Sequence, residues 1–378
     1  MKNSIKLTAI LCALGLLLTG CEGTFNIEYR SEEAYVDEYY EIKDDSSVQE
    51  VKNYQGMKNA LMNLINSAAE YGIIKTEKYS GAAEEDISKA CFEVTRETPM
   101  GVYAVDYITH SANLIVSYYE IEVYITYKRT AEEIESVVTI HSGNELQELL
   151  NKALENFDTS LSVMQVSTDI DRETIEGYVE ASYRANPQLI PLCPAVRVNT
   201  YASPESTIQK ITEVELLYSV DTDELLRRLE QLDSRVREIL DPNGLNDIEY
   251  ICGRVLEICR PARIAAGSTA YEALAGSGWA DSEGYAMAVK LLCAAAGLDC
   301  HVVEGRLNNE EYYWNIVAVG GEYRHVDVYA ADVWGGDIDL LTDEDMPESY
   351  YWDAGAYPAC ERADAETLAG ESVEVINT

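Results

Sequence analysis

Apolar residues recur at helical spacing from residue 55, where Met57, Leu61, Leu64, Ile65 and Ala68 share one face, and the spacing switches to alternation near Ile73. A second helix is predicted over 84–96, followed by strands near 102–108 and 114–127 and a short helix after Thr130. The order is α, β, α, β, β, α. It then recurs as a helix over 145–157, a strand over 161–166, a helix over 172–185, strands over 195–201 and 207–218, and a helix from Thr222 through Leu240. Ile87 matches Ile175 and Pro99 matches Pro187 at a spacing of 88, whereas Glu122-Val123 matches Glu213-Val214 and Tyr127 matches Tyr218 at 91. A three-residue insertion in the second hairpin accounts for the change, and the recurrence marks a duplicated module. Each copy is expected to lay its helices on one face of a small antiparallel sheet.

Asp241-Pro242-Asn243-Gly244 ends this pattern and opens a third domain. Its expected elements are a helix over 247–260, a loop over 261–268, a short helix over 270–274, a turn holding Gly276 and Gly278, a strongly apolar helix over 282–296, and strands over 300–304, 312–319 and 323–328. The fold class is α+β. The chain divides into a leader (1–20), an acidic tether (21–51), two repeats (52–142 and 143–240), the third domain (241–362) and an acidic tail (363–378). A fragment over 52–240 is expected to fold alone, since each repeat has its own apolar helix and strand faces.

Charge changes the picture next. The 378 residues carry 28 Lys and Arg against 67 Asp and Glu, a net charge of −39. Nucleic acid is excluded as a partner, because phosphates demand clustered Lys and Arg. Anionic membrane surfaces repel such a chain unless a covalent anchor holds it. With 47% hydrophobic residues and 27 Tyr there is ample material for packed cores. Residues 22–50, rich in acids and Tyr and poor in aliphatic side chains, read as a tether.

At the N-terminus, Lys2 and Lys6 precede an apolar run over 7–18, and Leu18-Thr19-Gly20-Cys21 follows. The run is short for a membrane span. It resembles the lipobox of bacterial lipoproteins. That resemblance implies cleavage before Cys21, a diacylglycerol on its thiol, and a protein held through that lipid on the outer side of the cell membrane.

Apart from Cys12 and Cys21, seven cysteines remain: Cys91, Cys193, Cys252, Cys259, Cys293, Cys300 and Cys360. An odd number cannot pair completely, none stands in a CxxC spacing, and they read as buried free thiols. The four histidines, His110, His141, His301 and His325, supply no zinc pattern. Asp337, Asp339, Asp343, Glu344 and Asp345 lack the glycine and final glutamate of an EF-hand, so they read as a solvated loop. No metal and no cofactor is assigned.

The run TAYEALAGSGWADSEGYAMAVKLLCAAAGLDCHVVEG, followed by YYWNIVAVGGEYRHVDVY, resembles the transglutaminase-like (papain-like cysteine protease) core of bacterial surface proteins. The resemblance covers about residues 245–329 and implies a helix packed on an antiparallel sheet. In that family a Cys at the helix N-terminus is the nucleophile, a strand His is its base, and an Asp orients the His. The corresponding positions here are Ser282, Tyr312 and Asp327. A serine hydroxyl needs a base even more than a thiol does, and a phenol with a reference pKa of about 10 is a poor one. His325 lies two residues from Asp327 but off the base position. Ser282 beside Asp281 also suits a helix N-terminus, and Tyr312 is expected to bridge Ser282 and Asp327. The resemblance therefore implies an inactive domain, a pseudoenzyme that binds or scaffolds at the cell envelope, with a cell-wall, protein or peptide ligand. The alternative is a Ser282-dependent acyl hydrolase or protease; a third reading gives binding to the repeats. Trp279, Trp314 and His325 mark a possible cleft, and Trp314 equally suits core packing.

Overall fold

The first repeat runs β1 (Val48–Glu50), α1 (Tyr54–Asn66), β2 (Tyr71–Lys75), α2 (Ala83–Glu97), α3 (Pro99–Ala104), β3 (Val105–Ile115), β4 (Tyr118–Tyr127) and α4 (Ala131–Glu135). The second runs β5 (Val138–Ile140), α5 (Gly143–Glu155), β6 (Ser160–Val166), α6 (Arg172–Ala185), β7 (Ala195–Ser203), β8 (Ser206–Leu217) and α7 (Thr222–Ile239). The structure, a computed structural model, describes residues 48–203, 206–241, 244, 247–262 and 269–362. The leader, Cys21, the tether up to residue 47 and the 363–378 tail lie outside the described residues. The fold is α+β.

Both repeats build the same sheet, β1-β2-β4-β3 in the first and β5-β6-β8-β7 in the second. In each, the leading short strand is parallel to its neighbour and the other pairs are antiparallel. Ala112 pairs with Ile121, nine residues on, while Thr200 pairs with Thr212, twelve residues on, which locates the three-residue insertion in the second hairpin. Helix starts are set by side chains that accept orphan amides: Asn53 from Gly56, Ser142 from Glu145, Asp171 from Thr174 and Asp221 from Glu224. The faces that follow are buried, as with Met57, Leu61 and Leu64 of α1 against Ile87 and Val94 of α2.

Three features depart from the sequence expectation. β1 and β5 are three residues each, too short for periodicity to reveal, and they exist through parallel pairing with β2 and β6. Val48–Glu50, expected within the tether, thus belongs to the first sheet, and the second sheet begins at Val138 rather than after residue 142. Residues 102–104 are helical instead of extended. Pro99 occupies the first turn of α3, where its missing N–H costs nothing, and Thr98 accepts the Gly101 amide at 3.1 Å. β3 in turn runs through His110, Ser111 and Asn113, because an edge strand with a solvent-facing side tolerates polar residues.

The repeats join through α3. Tyr103, fully buried, lies with its hydroxyl 3.2 Å from Ser162 Oγ. The Arg129 guanidinium sits 4.7 Å from the Tyr103 ring centre and donates to Glu213 Oε2 at 2.9 Å and Tyr201 at 2.8 Å. A charged hydrogen bond and a ring face thus hold one cation at the seam.

The third domain comprises α8 (Ile248–Ile258), β9 (Arg260–Pro261), α9 (Ala270–Leu274), β10 (Trp279–Ala280), α10 (Ser282–Ala296), β11 (Cys300–Leu307), β12 (Glu310–Val319), β13 (Glu322–Val326), α11 (Val328–Trp334) and β14 (Tyr350–Trp352). Its main sheet, β13-β12-β11-β14, is antiparallel throughout. α10 is apolar almost all round, as a helix buried on most sides must be. Asn315 of β12 donates to the Ala286 carbonyl of α10 at 3.0 Å. Tyr313 and Val317 pack into the core that holds α10, and Tyr312, Trp314 and Ile316 pack with Val303 and Cys360 in a separate cluster. The strand expected over 323–328 stops at Val326, because the Asp327 side chain accepts the Ala330 amide and starts α11.

One hydrophobic cluster runs from Ile140, Leu150 and Leu216 of the second repeat into Val255, Leu292 and Val317 of the third domain. The break at Asp241 is thus a boundary of topology and not of packing. The seven cysteines in the described residues are free, with Cys193 half-buried and the others buried. Among the described residues no helix is long and apolar enough to cross a membrane.

Candidate functional site

Ser282 is the first residue of α10, and Asp281 before it caps the helix by accepting the Gly284 amide at 3.1 Å. Ser282 is 8% exposed, and its hydroxyl accepts the backbone N–H of Tyr313 from β12 at 3.3 Å. No hydrogen bond joins it to Tyr312, Asp327 or His325. The helix N-terminus is in place, as the resemblance implied, but the hydroxyl serves to fasten β12 to α10.

Beside it, the second repeat reaches into the third domain. Arg184 at the end of α6 donates to Glu283 at 3.3 Å, Glu304 at 2.6 Å, Glu180 at 3.3 Å and the Tyr313 hydroxyl at 3.2 Å, with its guanidinium 5.1 Å from the Tyr313 ring centre. Burial pushes the Glu283 carboxyl up to about 7, with Arg184 pulling the other way. One cation with four acceptors therefore ties α6 to α10, β11 and β12 next to Ser282 in sequence and sheet.

Tyr312 donates to Asp327 Oδ1 at 3.3 Å, Tyr350 donates to Oδ2 at 2.9 Å, and the Ala330 amide donates to Oδ1 at 2.9 Å. Burial raises the Asp327 carboxyl, and these donors oppose the rise. Burial, then the Asp327 charge, pushes the Tyr312 phenol far above its usual range. Tyr312 thus remains a donor and cannot serve as a base at neutral pH. The expected bridge to Asp327 is present, while the contact to Ser282 is taken by the backbone of the next residue. Sequence reasoning missed Tyr350, which lies beyond the motif in the aromatic C-terminal stretch, and Arg184, which a remote helix supplies.

His325 is buried at 1% exposure and accepts the Trp314 indole N–H on Nδ1 at 2.9 Å; its Nε2 is 2.8 Å from Asp343 Oδ1. An indole can only donate, so Nδ1 bears no proton, and the proton of the neutral ring lies on Nε2, pointing at Asp343. Burial lowers the His325 pKa, against the pull of Asp343. Cys360 completes a group whose donor atoms lie within 4.8 Å of one another. This set does not suit a metal: neither ring nitrogen has a free lone pair, and burial pushes the Cys360 thiol up to about 12. The same facts deny His325 the role of base for Cys360. Asp343, expected in a solvated loop, also accepts the Cys360 amide at 3.1 Å and so ties the C-terminal segment to the sheet.

Trp314 is buried at 1% exposure, edge-on to Tyr350 at 5.3 Å and Trp352 at 6.0 Å. With His325 and Asp327 it lines a pocket of about 200 Å³. Trp279 lies on β10 with Arg260 6.0 Å from its ring centre, and neither it nor Ser282 lines that pocket.

No protein-family model and no curated protein matches the sequence. Solved structures similar to this chain include a TGase, at TM-score 0.27 and 11% identity over 65% of this chain and 74% of that one. Others are a candidate cysteine protease from Cytophaga hutchinsonii (TM-score 0.22, 9% identity, 39% and 66% covered) and a candidate protease from Parabacteroides distasonis (0.20, 8%, 72% and 44%). At these scores the likeness assigns neither family nor activity.

Proposed function

We propose that the chain is a lipid-anchored envelope protein whose third domain binds or scaffolds without catalysing a reaction, with Cys21 as the anchor. One observation carries this reading: the Ser282 hydroxyl accepts a backbone amide and makes no hydrogen bond to Tyr312, Asp327 or His325. A nucleophilic hydroxyl needs a group that removes its proton. Tyr312 is committed to Asp327 as a donor, and both His325 nitrogens are engaged. The lipobox resemblance at Leu18-Thr19-Gly20-Cys21 supports the anchor, and the net charge of −39 supports a position away from anionic lipid.

The test is active-site labelling of the full chain with a fluorophosphonate, together with peptidase, esterase and transamidation assays. Neither label nor turnover is expected. Labelling of wild type that disappears in Ser282→Ala would overturn the reading in favour of an acyl hydrolase.

A further inference from the structure

Between β12, β13, α11 and the segment 336–350 lies the pocket of about 200 Å³, on the side of the sheet where Tyr312 and Trp314 pack with Val303. Its lining includes buried Trp314 and His325 together with Leu341, Met346 and Tyr350. Half-buried Asp327 and exposed Asp337 and Asp339 also line it. We propose that this pocket binds a small alkylammonium cation, the charged nitrogen held among Asp327, Asp337 and Asp339 and the alkyl body against Trp314 and Tyr350.

Charge selects a cation first. Among the described residues no Lys or Arg lines the pocket, and His325 is neutral in the tautomer that Trp314 imposes. Among the described residues Asp327 forms no ion pair with Lys or Arg; its hydrogen-bonded partners are two phenols and the cap of α11. Asp327, Asp337 and Asp339 together give the lining a net negative charge that no Lys or Arg among the described lining residues offsets, and an incoming ammonium offsets it.

Chemistry then separates an organic cation from a metal. Calcium or magnesium needs several oxygens converging at ligand distance. In the described residues the group that brings three possible ligand atoms within 4.8 Å is His325, Asp343 and Cys360, and the three pocket aspartates form no such group. Carboxylates that share a lining with Leu341, Met346 and Tyr350 suit a cation with an apolar body. Size sets the upper limit. At about 30 Å³ per water-sized group the pocket takes about six heavy atoms, well below a drug-sized ligand. A butylammonium group fits this allowance, whether as a free amine or as the end of a lysine side chain on another molecule. The proposal does not depend on Ser282 being inert, so the two can fail separately.

The experiment is calorimetric titration of the full chain with n-butylammonium, n-butanol, calcium and a lysine residue blocked at both backbone ends. Saturable binding of n-butylammonium is expected, with no heat from butanol and no competition by calcium. The Asp337→Asn/Asp339→Asn variant, altered at exposed positions, should bind at least tenfold more weakly. A Glu84→Gln/Glu85→Gln variant, altered at an acidic surface hollow of the first repeat, should bind as wild type does. Blocked lysine binding as tightly as n-butylammonium identifies a side chain on a partner as the source; binding of n-butylammonium alone identifies a free amine. Absence of n-butylammonium binding, equal binding of butanol, competition by calcium, or an unchanged Asp337→Asn/Asp339→Asn variant would overturn the proposal.

Discussion

Tyr350→Phe tests whether Asp327 is a carboxylate held by donors. The substitution removes the closer of its two phenol donors, at 2.9 Å, while Tyr312→Phe removes the longer one, at 3.3 Å. Phe keeps the ring contacts of Tyr350, edge-on to Trp314 at 5.3 Å and to Tyr312 at 5.9 Å, so the measured loss belongs to the hydroxyl. A hydrogen bond to a charged group contributes about 1.5–3 kcal/mol, and a weaker one about 0.5–1.5 kcal/mol. Tyr350→Phe should therefore cost about 2 kcal/mol and Tyr312→Phe about 1 kcal/mol. The pH dependence follows from linkage. Burial raises the folded-state pKa of Asp327, and loss of a donor raises it further. Such a carboxylate costs stability when ionised, and the cost is relieved as pH falls through the folded pKa. The penalty in Tyr350→Phe is thus greatest at neutral pH and shrinks on acidification. Urea denaturation followed by tryptophan fluorescence at about pH 7.5 and 5 measures both quantities. A Tyr312→Phe penalty equal to or above that of Tyr350→Phe, or a Tyr350→Phe penalty that stays constant with pH, would refute the argument.

Glu283, pushed up to about 7, holds its proton in the folded chain where the unfolded chain has lost it. Its contribution is complete below the unfolded pKa and is lost as pH rises through about 7, so Glu283→Gln should reduce the drop in stability between pH 5 and 8; an unchanged drop in denaturation experiments would count against this. A fragment over 48–240 exposes the apolar faces of the second repeat that pack against α8 and α10, and calorimetry should show it less stable than the same region in the full chain. A fragment as stable and cooperative as the full chain would separate the two cores. Cys21→Ser should leave the precursor uncleaved or release the protein from membranes on fractionation; a variant both cleaved and membrane-bound would exclude the lipid anchor.

The amino-acid sequence by itself determined the repeated order of helices and strands, since buried faces impose periods of 3.6 and 2 on the residues that line them. Pairing Ile87 with Ile175 and Glu122 with Glu213 even located the hairpin insertion, because an insertion shifts spacing without changing chemistry. The short strands at Val48 and Val138 were illegible, as three residues define no period and need a partner strand to exist. Ser282 at a helix start and Asp327 near a sheet end were legible from local motifs. What those groups touch was decided by tertiary structure alone. Arg184 arrives from a helix about a hundred residues earlier, and Tyr350 and Asp343 arrive from the C-terminal stretch. Nothing local to any of these residues encodes its partner. The tautomer of His325 likewise depends on an indole from the neighbouring strand, and that contact occupies the lone pair of Nδ1.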